Sequence, residues 1–211
     1  MYRHWLAIAL IIVGFGCSGK TVDESNPQAL YDEALEDIQN DRYIMAVEKL
    51  RSVRNKFPYS KVATQAHLKM ADVYFAQESY VEAAAAYEAF RDLHPKHESA
   101  AYASFKIGEA YRKDIPTVIS RDLTSAYKAQ DALRSFLEQY PQDAEVPKAK
   151  VFLQETRDLL ASKETYIGDF YYKKGEWDAA KIRYQKILDM YADTNQGPIA
   201  KNRLEDIQNK K

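Results

Sequence analysis

A frame of six residues returns along this chain at helical spacing, and it limits the fold to a stack of helices. Tyr43, Ala46, Leu50, Val53, Phe57 and Pro58 recur 37 positions later as Tyr80, Ala83, Tyr87, Phe90, His94 and Pro95. Displaced further, the frame reappears as Ala129, Leu133, Phe136, Tyr140 and Pro141. It appears a fourth time as Trp177, Ala180, Tyr184, Ile187 and Tyr191, with Ala192 in place of the proline. Steps of three and four put these side chains on one helical face. The small Ala marks where a neighbouring helix comes close, and proline ends the helix because it lacks an N–H and clashes with the preceding turn.

A second set, Ala34, Ala71, Gly108 and Gly168, precedes the frame, with Tyr74, Tyr111 and Tyr171 three residues after the last three. A helix pair whose first member carries small-x-x-Tyr, and whose second carries aromatic-x-x-Ala-x-x-x-apolar, resembles the tetratricopeptide (TPR) pattern. One such pair cannot bury its apolar faces alone. The expectation is therefore an all-α, TPR-like solenoid of about 9–10 helix segments with a concave groove, a shape suited to binding. The early period exceeds the usual one of about 34 residues, which implies longer helices or turns. A further insertion falls near Asp114 to Asp122, where Pro116 and the β-branched run Thr117-Val118-Ile119 interrupt the helix. Helices are expected near 27–40, 43–57, 60–77, 80–94, 98–113, 122–140, 144–174, 177–191 and 198–209, with no strand. The 144–174 segment is either one helix or two, with a break near 162. Asn26-Pro27 reads as N-cap and first helical residue, and Asp122 as the cap of a helix starting at Leu123.

The N-terminus suggests export. Met1-Tyr2-Arg3-His4 is a short basic lead before a mostly apolar run from Trp5 to Phe15, too short to span a bilayer but suited to a signal-peptide core. Residues 1–16 are read as a signal peptide, 17–26 as a modified cysteine with a polar tether, and 27–211 as the solenoid (repeats 27–141, then 142–211). Cys17 is the single cysteine of the chain. Its position after Gly14-Phe15-Gly16 resembles a bacterial lipobox, which makes Cys17 the expected lipidation site and the lipid its membrane anchor. Lipoboxes usually carry a larger aliphatic residue at the place of Gly14 and a small one at that of Phe15. The alternative is an ordinary signal peptide followed by a free cysteine.

Thirty basic and thirty-one acidic residues nearly cancel, so no general field gathers nucleic acid. Catalytic constellations are scarce. His94 and His97 straddle Pro95 and do not share a helical face as a metal pair would, and His67 sits among packing positions as a core or groove side chain. With one cysteine and no Gly-rich phosphate loop, neither nucleophilic catalysis nor nucleotide binding has a foothold, so no metal, cofactor or catalytic residue is expected.

Several signatures then combine: the cysteine with its polar tether, Tyr31-x-x-Ala34, Tyr43-x-x-Ala46, Phe57-Pro58-x-Ser60, Arg121-Asp122-x-x-x-Ala126-x-x-Ala129, and Gly175-x-Trp177. Together they resemble the BamD family, TPR lipoproteins of the outer-membrane β-barrel assembly machinery. The resemblance implies a non-catalytic scaffold, lipid-anchored on the periplasmic face of the outer membrane and working with other lipoproteins of that complex. Its C-terminal repeats would hold the BamA periplasmic domains, with Arg183 at the position of the family arginine that meets an acidic residue of BamA. Its N-terminal repeats would receive unfolded outer-membrane proteins. The alternative function is another periplasmic TPR lipoprotein that links peptidoglycan or envelope enzymes to the outer membrane. An enzyme with a helical lid would need a convergent pair of perturbed carboxylates or a groove histidine.

In a TPR pair the first helix lines the groove. The positions assigned inward there are Tyr31, Ile38, Leu68, Phe75, Tyr102 and Phe105, an apolar and aromatic strip across the first three repeats. It is either a peptide-binding strip or ordinary packing between repeats. If displayed, it suits barrel precursors, whose strands alternate apolar and aromatic side chains.

Overall fold

The computed structural model describes residue 23 and residues 25–210. Cys17, the expected signal peptide and most of the expected tether lie outside the described residues. Among those described there are nine helices and no strand: α1 (Pro27–Gln39), α2 (Tyr43–Lys56), α3 (Lys61–Ala76), α4 (Tyr80–Leu93), α5 (Ala100–Lys113), α6 (Thr124–Gln139), α7 (Val146–Lys173), α8 (Trp177–Met190) and α9 (Gly197–Gln208). Successive helices pack antiparallel in four pairs, α1–α2 to α7–α8, with α9 laid on α8; α1 also touches α3, and α5 touches α7. This is the TPR-like solenoid expected from the repeat.

Local chemistry sets the helix ends. The Asn26 carboxamide oxygen accepts from the backbone N–H of Gln28 (2.9 Å) and Ala29 (3.3 Å), with Pro27 as the first helical residue. Within three of the four pairs the first helix closes in a left-handed residue: Asp41 (φ 57°), Glu78 (φ 60°) and Gly175 (φ 77°). The next N–H reaches back five residues in each case, from Arg42 to Asp37 O (2.8 Å), Ser79 to Tyr74 O (3.0 Å) and Glu176 to Tyr171 O (3.0 Å). That is the Schellman closure, which satisfies orphan carbonyls at a helix C-terminus. The pair α5–α6 lacks it and uses the loop containing Pro116. Helix α6 begins at Thr124 rather than Leu123. Asp122 lies one residue outside the cap position, where its carboxylate accepts from the Thr124 N–H (3.1 Å).

The repeat frame is the core. Ala46, Ala83, Ala129 and Ala180 are all buried, as are Leu50, Tyr87, Leu133 and Tyr184 one turn on. Gly108 and Gly168 lie where a Cβ would stand 2.6 Å from Leu133 Cγ and 2.7 Å from Tyr184 Cε1, so the absence of a side chain sets the approach of the paired helices.

The two irregular stretches of the sequence fit one another. Helix α7 runs 28 residues without interruption near residue 162. The Ser162 and Thr165 hydroxyls bond back to the Asp158 and Ala161 carbonyls within the same helix. The added length of α7 lies against the α5–α6 loop. Lys163 donates its ammonium to the Ile119 (2.8 Å) and Arg121 (3.2 Å) carbonyls, and Ile115, Ile119 and Leu123 pack into the core containing Leu160 and Ala161.

Candidate binding surfaces

The first helices of the first three pairs enclose a depression of about 310 Å³ lined by Tyr31 of α1, Thr64, Gln65, Leu68, Lys69 and Asp72 of α3, and His97, Glu98 and Ser99 before α5. Of the six strip residues, Tyr31 and Leu68 line it. Tyr102 stands beside it, 41% exposed, with its hydroxyl donated to Asp72 (2.9 Å). Asp72 is a junction. It also accepts from Tyr87 (2.8 Å) and pairs with Lys69 (3.2 Å). Burial and the neighbouring Asp72 carboxylate push the Tyr102 phenol well above its ordinary range, so it remains a hydrogen-bond donor.

The rest of the strip is covered. Ile38 is half-buried against the core of the first pair. Phe75 is half-buried, with the Tyr80 ring at its edge and the Lys106 ammonium 3.5 Å from its centroid. Phe105 is 2% exposed, placed between Phe136 (5.5 Å) and Phe152 (6.1 Å). Phe105 is therefore core and not groove: α6 and α7 close over it, which helical spacing on α5 alone does not reveal. Further along, Lys148 and Arg112 stand over Phe152, and Lys148 and Lys106 both pair with Glu109. The displayed part of the strip is shorter and more polar than six apolar positions suggest. Lys69, Asp72 and His97 complete it. Asp72 directly follows the small residue Ala71 on α3 and Lys69 lies two residues before it, a signal available in the repeat.

Arg183 is half-exposed and already engaged. Its guanidinium meets Glu164 at 3.1 Å, and Lys186 meets the same carboxylate at 2.5 Å. Glu164 is 2% exposed, so it depends on these two cations from α8 for its partners. Next to Arg183, Ile182 is 68% exposed and lines an apolar depression of about 430 Å³ with Lys181, Gln185, Lys186, Asp189 and Met190.

His67 is buried at 6% against Phe90, with His94 and His97 around the same ring. Among the described residues, no group of three or more His, Cys, Asp or Glu side chains has the geometry to hold a metal ion, and no helix is long and apolar enough to cross a membrane.

The YfiO family, described as "Outer membrane lipoprotein", matches residues 23–210 of this chain. The outer membrane protein assembly factor BamD of Caulobacter vibrioides is 29% identical over 96% of this chain and 69% of its own length. That of Neisseria meningitidis serogroup A is 27% identical over 79% of this chain and 66% of its own length. The Vibrio cholerae BamD is 26% identical over 90% and 82%. This chain thus spans about two thirds of the first two relatives. Among solved structures, MamA of Desulfovibrio magneticus is 17% identical, covering 80% of this chain and 77% of its own, with a TM-score of 0.43. A TPR protein of Thermus thermophilus is 15% identical, covering 87% and 99%, with a TM-score of 0.44.

Proposed function

This chain belongs to the outer-membrane lipoprotein family YfiO, and we propose that it is a non-catalytic scaffold in the assembly of outer-membrane β-barrel proteins. The observation that carries this reading is the family match over nearly the whole helical solenoid, joined by relatives that are themselves named assembly factors.

The finer roles divide along the solenoid. The depression between Tyr31, Leu68 and Tyr102 takes an extended segment of an unfolded barrel precursor, with apolar side chains against Leu68 and main-chain groups facing Lys69 and Asp72. Its size and mixed lining support a peptide more than a small cofactor. The α8 face that carries Arg183 docks the BamA periplasmic domains. The exposed Ile182 and Met190 beside it support this, since an apolar centre with a charged rim is what protein interfaces use. Lipidation at Cys17 anchors the chain to the outer membrane on its periplasmic face.

The test has two arms. A photocrosslinking side chain at Leu68 or Tyr102 should label a peptide copying a barrel protein's last strand and not its scrambled control. Pull-down from detergent-solubilised membranes should recover BamA, with recovery reduced by Ile182→Asp. Equal labelling of both peptides removes the precursor site, and recovery of murein-linked proteins in place of BamA removes the assembly role.

A further inference from the structure

Each second helix of a pair passes to the next pair through the same turn. The N–H of Ser60, His97, Asp143 or Thr194 donates to the carbonyl three residues back, that of Phe57 (3.0 Å), His94 (3.0 Å), Tyr140 (3.1 Å) or Tyr191 (3.0 Å). The side chain of the later residue then accepts from a backbone N–H at the start of the following helix: Ser60 is the N-cap of α3, and the other three bond the N–H of the N-cap residue. Ser60 Oγ accepts from the Ala63 N–H (3.1 Å), Asp143 Oδ1 from Glu145 (2.9 Å), Thr194 Oγ1 from Gln196 (3.3 Å) and His97 Nδ1 from Ser99 (3.1 Å). The second of these turns is chemically different from the others. Both of its defining positions are histidines, where the other turns use an aromatic ring and a Ser, Asp or Thr.

A third histidine completes the group. His67 of α3 takes the repeat position held by Leu30 in α1. Its ring lies 5.9 Å from His94 and 6.0 Å from Phe90, while His94 and His97 are 6.5 Å apart, both against Phe90. We propose that His67, His94 and His97 form a proton-sensitive latch: mild acidification releases the α4–α5 turn and opens the depression whose wall is His97, Glu98 and Ser99.

Two steps make the latch. His97 accepts the Ser99 N–H on the lone pair of Nδ1. An imidazole protonated on both nitrogens has no lone pair left to accept with, so this hydrogen bond would be lost. A proton on His67 places a cation in a buried site, where the charges acting on it are Arg54 from α2 and His94 from the turn, both repelling it. The other charged groups nearby are Lys69 and Asp72 of α3, paired with one another, and Lys96 and Glu98, which flank His97 at the surface. Burial, with these like charges, holds His67 below the ordinary histidine value of 6.5, and burial with His97 does the same for His94. A group whose pKa is depressed in the closed form binds its proton more tightly in the open form. The closed turn is therefore fully favoured above about pH 6.5 and loses favour as pH falls below it.

The inference rests on the turn and stands apart from the assembly role. Amide hydrogen exchange, corrected for intrinsic rates, is measured on the full-length protein in detergent at about pH 7.5 and about pH 5.5, which bracket the histidine range. Protection of the Ser99–Ala103 amides should fall by about tenfold at the lower pH, a local opening. The turns at Ser60, Asp143 and Thr194 should hold and serve as internal controls. The double variant His94→Tyr with His97→Asp, which installs the residues of the third turn, should remove the response. Unchanged protection at Ser99–Ala103, an equal loss at all four turns, or the same response in the double variant would each overturn the latch.

Discussion

The hydroxyl of Tyr184 donates a 2.7 Å hydrogen bond to Asp169, fifteen residues earlier and one position past Gly168. Tyr87 repeats the relationship with Asp72, fifteen residues earlier and one past Ala71, at 2.8 Å. The small residue lets the ring pack closely against the paired helix, and the adjacent carboxylate receives the phenol that this approach buries. Core shape and polar satisfaction thus come from two neighbouring residues of the first helix. Where the frame carries leucine, at Leu50 and Leu133, the bond has no donor.

Removing this bond should cost more in the fourth pair than in the second. Tyr184→Phe leaves Asp169 with Arg203 at 3.3 Å, and the expected loss is about 1–2 kcal/mol. Tyr87→Phe leaves Asp72 with Tyr102 and Lys69, and about half that loss is expected. Urea denaturation of the two variants should separate them in that order.

Glycine-to-alanine changes should destabilise this protein within its helices. On an exposed helix the change gains about 1 kcal/mol in propensity. At Gly168 and Gly108 the new methyl meets Tyr184 Cε1 at 2.7 Å and Leu133 Cγ at 2.6 Å. Overpacking costs about 1–3 kcal/mol, so both variants should show a lower thermal midpoint. Glu78 is the converse case. Its φ of 60° strains any side chain, so Glu78→Gly should stabilise by up to about 1 kcal/mol.

Arg183→Glu should weaken the fold itself. It sets a second carboxylate against Glu164, which is buried and left with Lys186 alone. A loss of about 3 kcal/mol or more is expected, as for other broken buried pairs. Ile182→Asp alters the neighbouring exposed surface and should stay within about 0.5 kcal/mol of the parent. Circular-dichroism melts of both variants check this, and they make Ile182→Asp the cleaner probe of docking.

Acid should unfold the solenoid through its buried carboxylates. Burial alone raises the pKa of Asp37, but hydrogen bonds from Lys49 and Arg42 outweigh it and hold the group below 3.8. For Glu109 the balance between burial and Lys106 and Lys148 holds it below 4.5. A carboxylate with a depressed folded pKa contributes stability that is present above its unfolded value. That stability is lost as pH falls through the folded one. The free energy of unfolding should decline below about pH 4.5, under the histidine window, and Asp37→Asn should make the decline shallower. Denaturant titrations at stepped pH would show the same slope in both proteins if Asp37 has no such role.

The helices were legible along the chain because their signals are local. The six-residue frame located α2, α4, α6 and α8 to within two residues, and Asn26-Pro27 marked the start of α1 through a cap that spans three residues of chain. The family was legible for the same reason, in motifs such as Gly175-x-Trp177 that keep their spacing within a turn. Contacts between residues far apart in the chain became visible once the helices were packed. Phe105 is core because Phe136 and Phe152 arrive from two later helices. Helix α7 stays whole where the sequence allowed a break near 162: no proline or glycine interrupts residues 148 to 167, and Lys163 ties it to a loop more than forty residues earlier. Arg183 faces Glu164 nineteen residues back, and three histidines from α3 and the α4–α5 turn surround Phe90. Periodicity tells which side of a helix is apolar. Which neighbour covers that side is settled by packing between repeats.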